Sequence, residues 1–171
     1  MVNNIKTEGK TWTSFVNALR QLNLRYDQNR KQAEKNARVA PATYECAVCG
    51  CWVYTGKKTL EKANIKAPEG VEIKHQHKEN GKVIKHKIDH IVPFRPITGE
   101  RDIFQLFRML FSELENYQVM CNDCHNIKSK EENRFRREFK KIDQDSDEWN
   151  DLCEEYENFM LEYTDDDVWD F

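Results

Sequence analysis

Apolar residues recur at helical spacing near the start of the chain, where Trp12, Phe15, Val16, Leu19 and Leu22 share one face of a helix over residues 11–23. Thr11 is placed to cap it, and the apolar face is expected to be buried. Residues 27–38 continue in a polar helical pattern. Arg25, Arg30, Lys31, Lys35 and Arg38 form a basic series suited either to solvent or to a phosphate backbone. Ala40-Pro41 breaks the helix, and Tyr44-Glu45-Cys46-Ala47-Val48-Cys49-Gly50 reads as a knuckle-like turn closed by glycine. Residues 57–70 are a basic linker without period. Residues 71–92 alternate around Asn80-Gly81, a type I′ turn signal that predicts paired strands near 71–78 and 83–92.

The second half is mostly helical in pattern. Ile103, Phe104, Leu106, Phe107, Leu110, Phe111 and Leu114 give residues 101–114 a wide apolar face, which marks a core helix. A short strand at 116–120 leads into Cys121-Asn122-Asp123-Cys124-His125, with Asn122 or Asp123 placed to cap a helix running to about residue 141. Lys128, Lys130, Arg134, Arg136, Arg137, Lys140 and Lys141 surround that helix, and Phe135 and Phe139 offer a packing pair at i, i+4. From Ser146 a last amphipathic helix aligns Trp149, Leu152, Cys153, Tyr156, Phe159, Met160 and Tyr163. The elements predict an α+β chain.

Length and composition narrow the architecture. A chain of 171 residues suits one compact domain with additions. Its 39% hydrophobic and 33% charged residues favour small helical or metal-stapled lobes over one large core. No stretch approaches the roughly 20 apolar residues needed to span a bilayer. The N-terminal MVNNIKTEGK has no hydrophobic region of the signal-peptide kind, so a cytoplasmic protein with no membrane partner is expected.

A formal net charge of −3 disguises two opposite segments. Residues 1–141 hold all 27 Lys and Arg against 17 acids, a balance of +10, while residues 142–171 hold the other 13 acids and no Lys or Arg. The acidic segment can fold back on the basic lobe, or simply pack with an acidic outer surface. The expected organisation is a basic helical extension at 1–43, a central domain at 44–141 and an acidic amphipathic helix at 142–171.

Six cysteines in a reducing compartment point to metal rather than disulfides. Cys46 and Cys49 form one C-x-x-C and Cys121 and Cys124 another, a set suited to tetrahedral Zn²⁺. With four thiolates and no open position for water, such a zinc is structural, joining the start of a lobe to its end across the 71 intervening residues. Buried free thiols are the alternative. Cys51 could exchange in as a ligand, but its neighbour Trp52 and the preference of free cysteine for the interior favour packing, and Cys153 reads as core.

Between the cysteine pairs lie Asp89-His90 and Asn116, and His125 follows Cys124 directly. These are suitable groups for phosphodiester hydrolysis. A neutral His takes a proton from water, a carboxylate and a second ligand hold a divalent ion, and an Asn orients the base or binds the ion. His75, His77 and His86 could face a groove or chelate an ion, although alternate exposed strand positions are commonly polar. The helix after His125, through Lys128, Lys130, Arg134 and Arg137, and the basic N-terminal segment offer DNA phosphate contacts, which carry affinity without sequence information.

The segments YECAVCG, IDHIVPF and ENYQVMCNDCHNIKS resemble the zinc-containing branch of the HNH endonuclease family, in which C-x-x-C pairs bracket a ββα-metal unit. The resemblance covers roughly residues 44–140, and small members of this type are often phage-encoded. It implies a small ββα-metal catalytic core with a four-cysteine zinc site, flanked by N-terminal and C-terminal helices. It further implies His90 as general base, Asn116 as the middle Asn, and Asp89 and His125 as ligands of one Mg²⁺ or Mn²⁺. DNA is the implied substrate, nicked by a monomer, with a homodimer or a phage packaging component as candidate partners. The insert at 95–115 is longer than the tight loop of the smallest members. A zinc-stapled DNA- or protein-binding module without catalysis, or an accessory subunit docking through its last helix, are the competing expectations.

Overall fold

The first apolar stripe produces a helix longer than its pattern predicts. The computed structural model describes residues 2–75, 81–93 and 103–163, and α1 runs Val2–Tyr26, so Thr11 lies within the helix rather than at its cap. Val16 and Leu19 are buried against Leu106 and Leu110 of a later helix, Ile103–Leu110, with Trp12 and Phe111 at the margin. Phe15 and Leu22 remain 37% and 48% exposed. One packed neighbour covers a narrower stripe than the five apolar positions offer.

Asp27 ends α1 in extended geometry, and its side chain accepts from the Arg30 amide at 3.1 Å, capping α2, Gln28–Asn36. The chain then builds a four-stranded sheet from β1 (Arg38–Ala40), β2 (Thr43–Glu45), β3 (Trp52–Tyr54) and β4 (Ile73–Lys74), in that order. The β1–β2 and β2–β3 pairs are antiparallel, and β4 joins β3 in parallel. Pro41 thus sits in the β1–β2 turn. That first strand pair crosses the expected boundary at residue 43. Between β2 and β3 the knuckle closes with Cys46 N donating to Cys51 O and Gly50 N to Cys46 O, both at 2.9 Å. Gly50 has φ of +67°, a left-handed conformation that glycine adopts without steric cost. The linker after β3 contains one short helix, α3, Leu60–Ala63.

A second sheet pairs β5 (Lys87–His90) with β6 (Tyr117–Met120), antiparallel, with Asp89 opposite Gln118 and His90 opposite Tyr117. The expected hairpin is therefore divided at its described strands, since 73–74 lies on β3 and 87–90 on β6, while Asn80 and His77 fall outside the described residues. Alternation identifies the strands but not their partners. Before β6 comes α4, Ile103–Leu110, followed by a single 3-10 turn at Leu114–Asn116. Its apolar face is only partly core, since Leu106 and Leu110 are buried but Phe104 is 81% exposed.

Two helices complete the described chain. In α5, Asn122–Phe139, the cap is the Cys121 side chain rather than Asn122 or Asp123. In α6, Asp147–Leu161, Ser146 Oγ accepts from Trp149 N at 3.2 Å. Phe135 and Phe139 of α5 pack with Leu152, surrounded by Trp149, Cys153, Tyr156 and Phe159. The described part of the acidic segment, α6, packs on the basic helix, and Arg134 joins Glu155 at 2.8 Å. The architecture is α+β, with buried clusters around the thiols, between α1 and α4, and between α5 and α6. Among the described residues, no helix is long and apolar enough to cross a membrane.

Candidate metal and catalytic site

The knuckle delivers three thiols to one place. The Cys46–Cys51 backbone bond brings the two ends of the loop together, and the sulfurs of Cys46, Cys49, Cys51 and Cys121 lie within 4.8 Å of one another. Four close cysteines can hold a metal ion such as zinc. This set differs from the one that spacing suggests. Cys51, expected to pack, replaces Cys124 in the tight group, and Cys124 flanks it in hydrogen-bond contact with Cys121 and Cys49. The signal for Cys51 is C-x-x-C-x-C, in which the turn folds the third cysteine back toward the first.

Cys121 has two further roles. Its Sγ accepts from Cys124 N at 3.4 Å and so caps α5, where the helix N-terminus favours negative charge. Lys74 Nζ stands 3.8 Å from the same sulfur and 2.8 Å from Asp123 Oδ2. Burial first, and then neighbouring thiols, push the Cys51 and Cys124 thiols well above the ordinary value. A bound cation reverses that balance, because thiolates that repel one another are each stabilised by the ion. The donor set therefore fits zinc.

The second group is organised by β5, β6 and the two helix ends beside them. His90 is 8% exposed, and its Nε2 lies 3.2 Å from the Leu110 carbonyl. A carbonyl only accepts, so Nε2 carries the proton and Nδ1 is the basic nitrogen of the neutral ring. Leu110 ends α4, where carbonyls lack helical partners, and it also accepts from Asn23 Nδ2 at 2.6 Å, while Tyr117 Oη, whose one proton goes to Asp27, lies 2.9 Å away. Behind them Asp27 Oδ2 accepts from Asn23 at 2.7 Å and from Tyr117 at 2.6 Å. Burial lowers the His90 pKa below its ordinary 6.5, against the raising influence of Leu110 and Asp89. The ring is neutral at pH 7.

Asp89 and His125 line the same cleft as His90, a space of about 500 Å³. His125 Nδ1 is buried without a hydrogen-bond partner. An imidazole nitrogen left so, in a cleft that a carboxylate also lines, fits a cation ligand. Asn116 is placed differently. Its Oδ1 accepts from Val92 N at 2.7 Å, and its Nδ2 donates to Val92 O at 3.3 Å and to Ser112 Oγ at 3.2 Å. Both ends of the amide hold the chain just after His90, so Asn116 orients that segment.

No family model, curated protein or solved structure matches the chain.

The cations expected to meet DNA divide sharply. Lys128 is fully buried, with Nζ 3.0 Å from Asp89 Oδ2 and 2.8 Å from the His90 carbonyl, and in an ion pair with Glu132. It cannot also reach a phosphate. Arg134 is held by Glu131, Glu138 and Glu155 at 2.8, 2.9 and 2.8 Å. Three carboxylates engage three of its five N–H donors. Lys130 and Arg137 are exposed on α5. The described extra histidines do not meet, since His75 Nε2 lies 3.1 Å from Gly56 O while His86 Nε2 lies 2.9 Å from Glu34. Sequence reasoning misses Asn23, Asp27 and the interior place of Lys128. The first two carry a readable signal, because Asn23 and Asp27 continue the buried stripe of Val16 and Leu19 with polar groups.

Proposed function

We propose that the chain is a metal-dependent HNH-type endonuclease that hydrolyses DNA phosphodiester bonds with one divalent ion, its ββα-metal core being β5, β6 and α5. The observation that carries this is the meeting of Asp89, His90 and His125 in one cleft, with His125 Nδ1 buried and unpartnered. Asp89 and His125 would hold Mg²⁺ or Mn²⁺, which supplies charge neutralisation at the oxygen leaving phosphorus. His90 Nδ1 takes a proton from water as the water oxygen bonds to phosphorus. The P–O ester bond breaks, and the departing alkoxide is protonated from solvent. The neutral ring is the form this step needs, and the Leu110 carbonyl holds it in the required tautomer. Asn116 keeps the Val92 segment in place beside it.

Zinc would occupy the thiol cluster as a structural ion. One metal and one base cut one strand, so a monomer nicks and a double-strand break needs two sites. A second reading, a zinc-stapled binding module without catalysis, draws on Lys128, whose ammonium already compensates Asp89. Supercoiled plasmid incubated with Mg²⁺, Mn²⁺ or a chelator distinguishes them. Metal-dependent nicking, lost in His90→Ala with zinc and fold retained, is the expected result. Nicking unchanged in that variant would remove His90 as base, and none with any metal would favour the binding module.

A further inference from the structure

We infer that DNA backbone phosphates are held across the cleft by Arg20 and Arg30 on one wall and Lys85 and Lys87 on the other, and not by the basic helix α5; this assignment rests on the nuclease reading for its substrate. These four cations line the same space as Asp89, His90 and His125. Arg20 belongs to α1 and Arg30 to α2, while Lys87 opens β5 two residues before Asp89, on the same face of the strand. The cleft thus gathers positive charge from two separate parts of the chain beside the Asp89 carboxylate. The cleft's two acids are Glu34, hydrogen-bonded to His86 at 2.9 Å, and Asp89, ion-paired with Lys128 at 3.0 Å, against four cations. The balance of charge at the cleft is positive, as a polyanion requires.

Across α5 and the α6 helix packed on it, the balance is opposite. Lys128 is interior, Arg134 is surrounded by Glu131, Glu138 and Glu155, and Arg136 pairs with Glu132 at 3.4 Å. The acidic α6 packs along this helix, bringing Asp147, Glu148, Asp151, Glu154, Glu155 and Glu157 to the surface there. Within a Debye length of about 8 Å at physiological salt, those carboxylates repel an approaching phosphate backbone. The N-terminal helices are therefore a wall of the substrate groove, which gives the extension a role in holding the strand at the point of chemistry.

The test is anisotropy of a labelled DNA duplex without added divalent cation, measured across a salt series so that binding is read apart from cleavage. In the full-length protein, Arg20→Gln, Arg30→Gln, Lys85→Gln and Lys87→Gln should each flatten the slope of log affinity against log salt by about 1. The four combined should weaken binding by roughly ten-fold or more, while the control Lys62→Gln/Lys66→Gln protein binds as wild type. Zinc content and thermal melting check each fold, and the single variants carry the test if the combined one unfolds. Wild-type slopes in all four single variants, or a loss that follows Lys130→Gln/Arg137→Gln instead, would overturn the assignment. Plasmid nicking separates the two readings. Cleft variants that bind normally in a protein that nicks leave the nuclease and remove the groove; cleft variants that lose binding in a protein that never nicks leave the groove and remove the nuclease.

Discussion

Lys128 and Asp89 form an ion pair at 3.0 Å in which the lysine is entirely buried and the aspartate faces the cleft. The same ammonium reaches the His90 carbonyl and Glu132, so one interior cation ties α5 to the end of β5. Removing it leaves two carboxylates uncompensated near the interior. Lys128→Met, which keeps most of the stem volume, should destabilise the protein by about 3 to 5 kcal/mol, read as a lowered denaturant midpoint. A midpoint equal to wild type would mean the buried pair contributes nothing.

Stability should fall on mild acidification. His90 and His86 both have pKa values lowered by burial from 6.5. A lowered folded-state value means the unfolded chain takes the proton first, so each group's stabilising effect is present above 6.5 and is lost as pH falls from there through the folded-state value. Melting temperature should decline from about pH 7.5 to about pH 5, and less steeply in His90→Gln. If His90 is the base, the acid limb of the nicking profile also lies below 6.5, because the ring stays neutral to lower pH.

Asn116→Ala removes the hydrogen bonds to Val92 and Ser112 without touching the cleft lining. Nicking should drop by about ten-fold to a hundred-fold with zinc content unchanged, as the loss of groups that orient a metal site typically costs. Asn116→Asp keeps the acceptor for Val92 N and should recover part of the loss. Equal activity in all three proteins would leave Asn116 with no orienting role.

Zinc content decides between the two four-cysteine sets. Cys46→Ser, Cys49→Ser and Cys121→Ser should each lose the metal, and Cys51→Ser should do the same because its sulfur belongs to the tight group. Full zinc affinity in Cys51→Ser, with loss in Cys124→Ser, would restore the pairing of two C-x-x-C motifs. Chelation should also melt the surrounding cluster, since Cys46, Cys51 and Cys121 are themselves core residues with Val53 and Met120.

Local patterns are legible where chemistry is local. Ser146 caps α6 as its position suggests, and β6 and α5 start close to where the strand pattern and the cysteine pair predict. Partners distant in sequence are not. Ile73 and Lys87 both lie on strands that alternation identifies, but pairing with β3 and β6 depends on how the whole chain closes. Asp89, His90 and His125 share a cleft as their order suggests. Lys128 is misread from sequence because charge on a helix says nothing of which face is covered, and its burial depends on three acceptors contributed by β5 and by Glu132.

Cys121 follows β6 directly, holds a place among the clustered sulfurs, caps α5 and accepts the His125 amide at 3.1 Å. The rotational phase of α5 about its own axis is consequently set at the thiol cluster, one turn before His125 and two before Lys128. The strand-borne and helix-borne halves of the cleft share that register through Cys121 at one end and through the Lys128 bonds to Asp89 and His90 at the other.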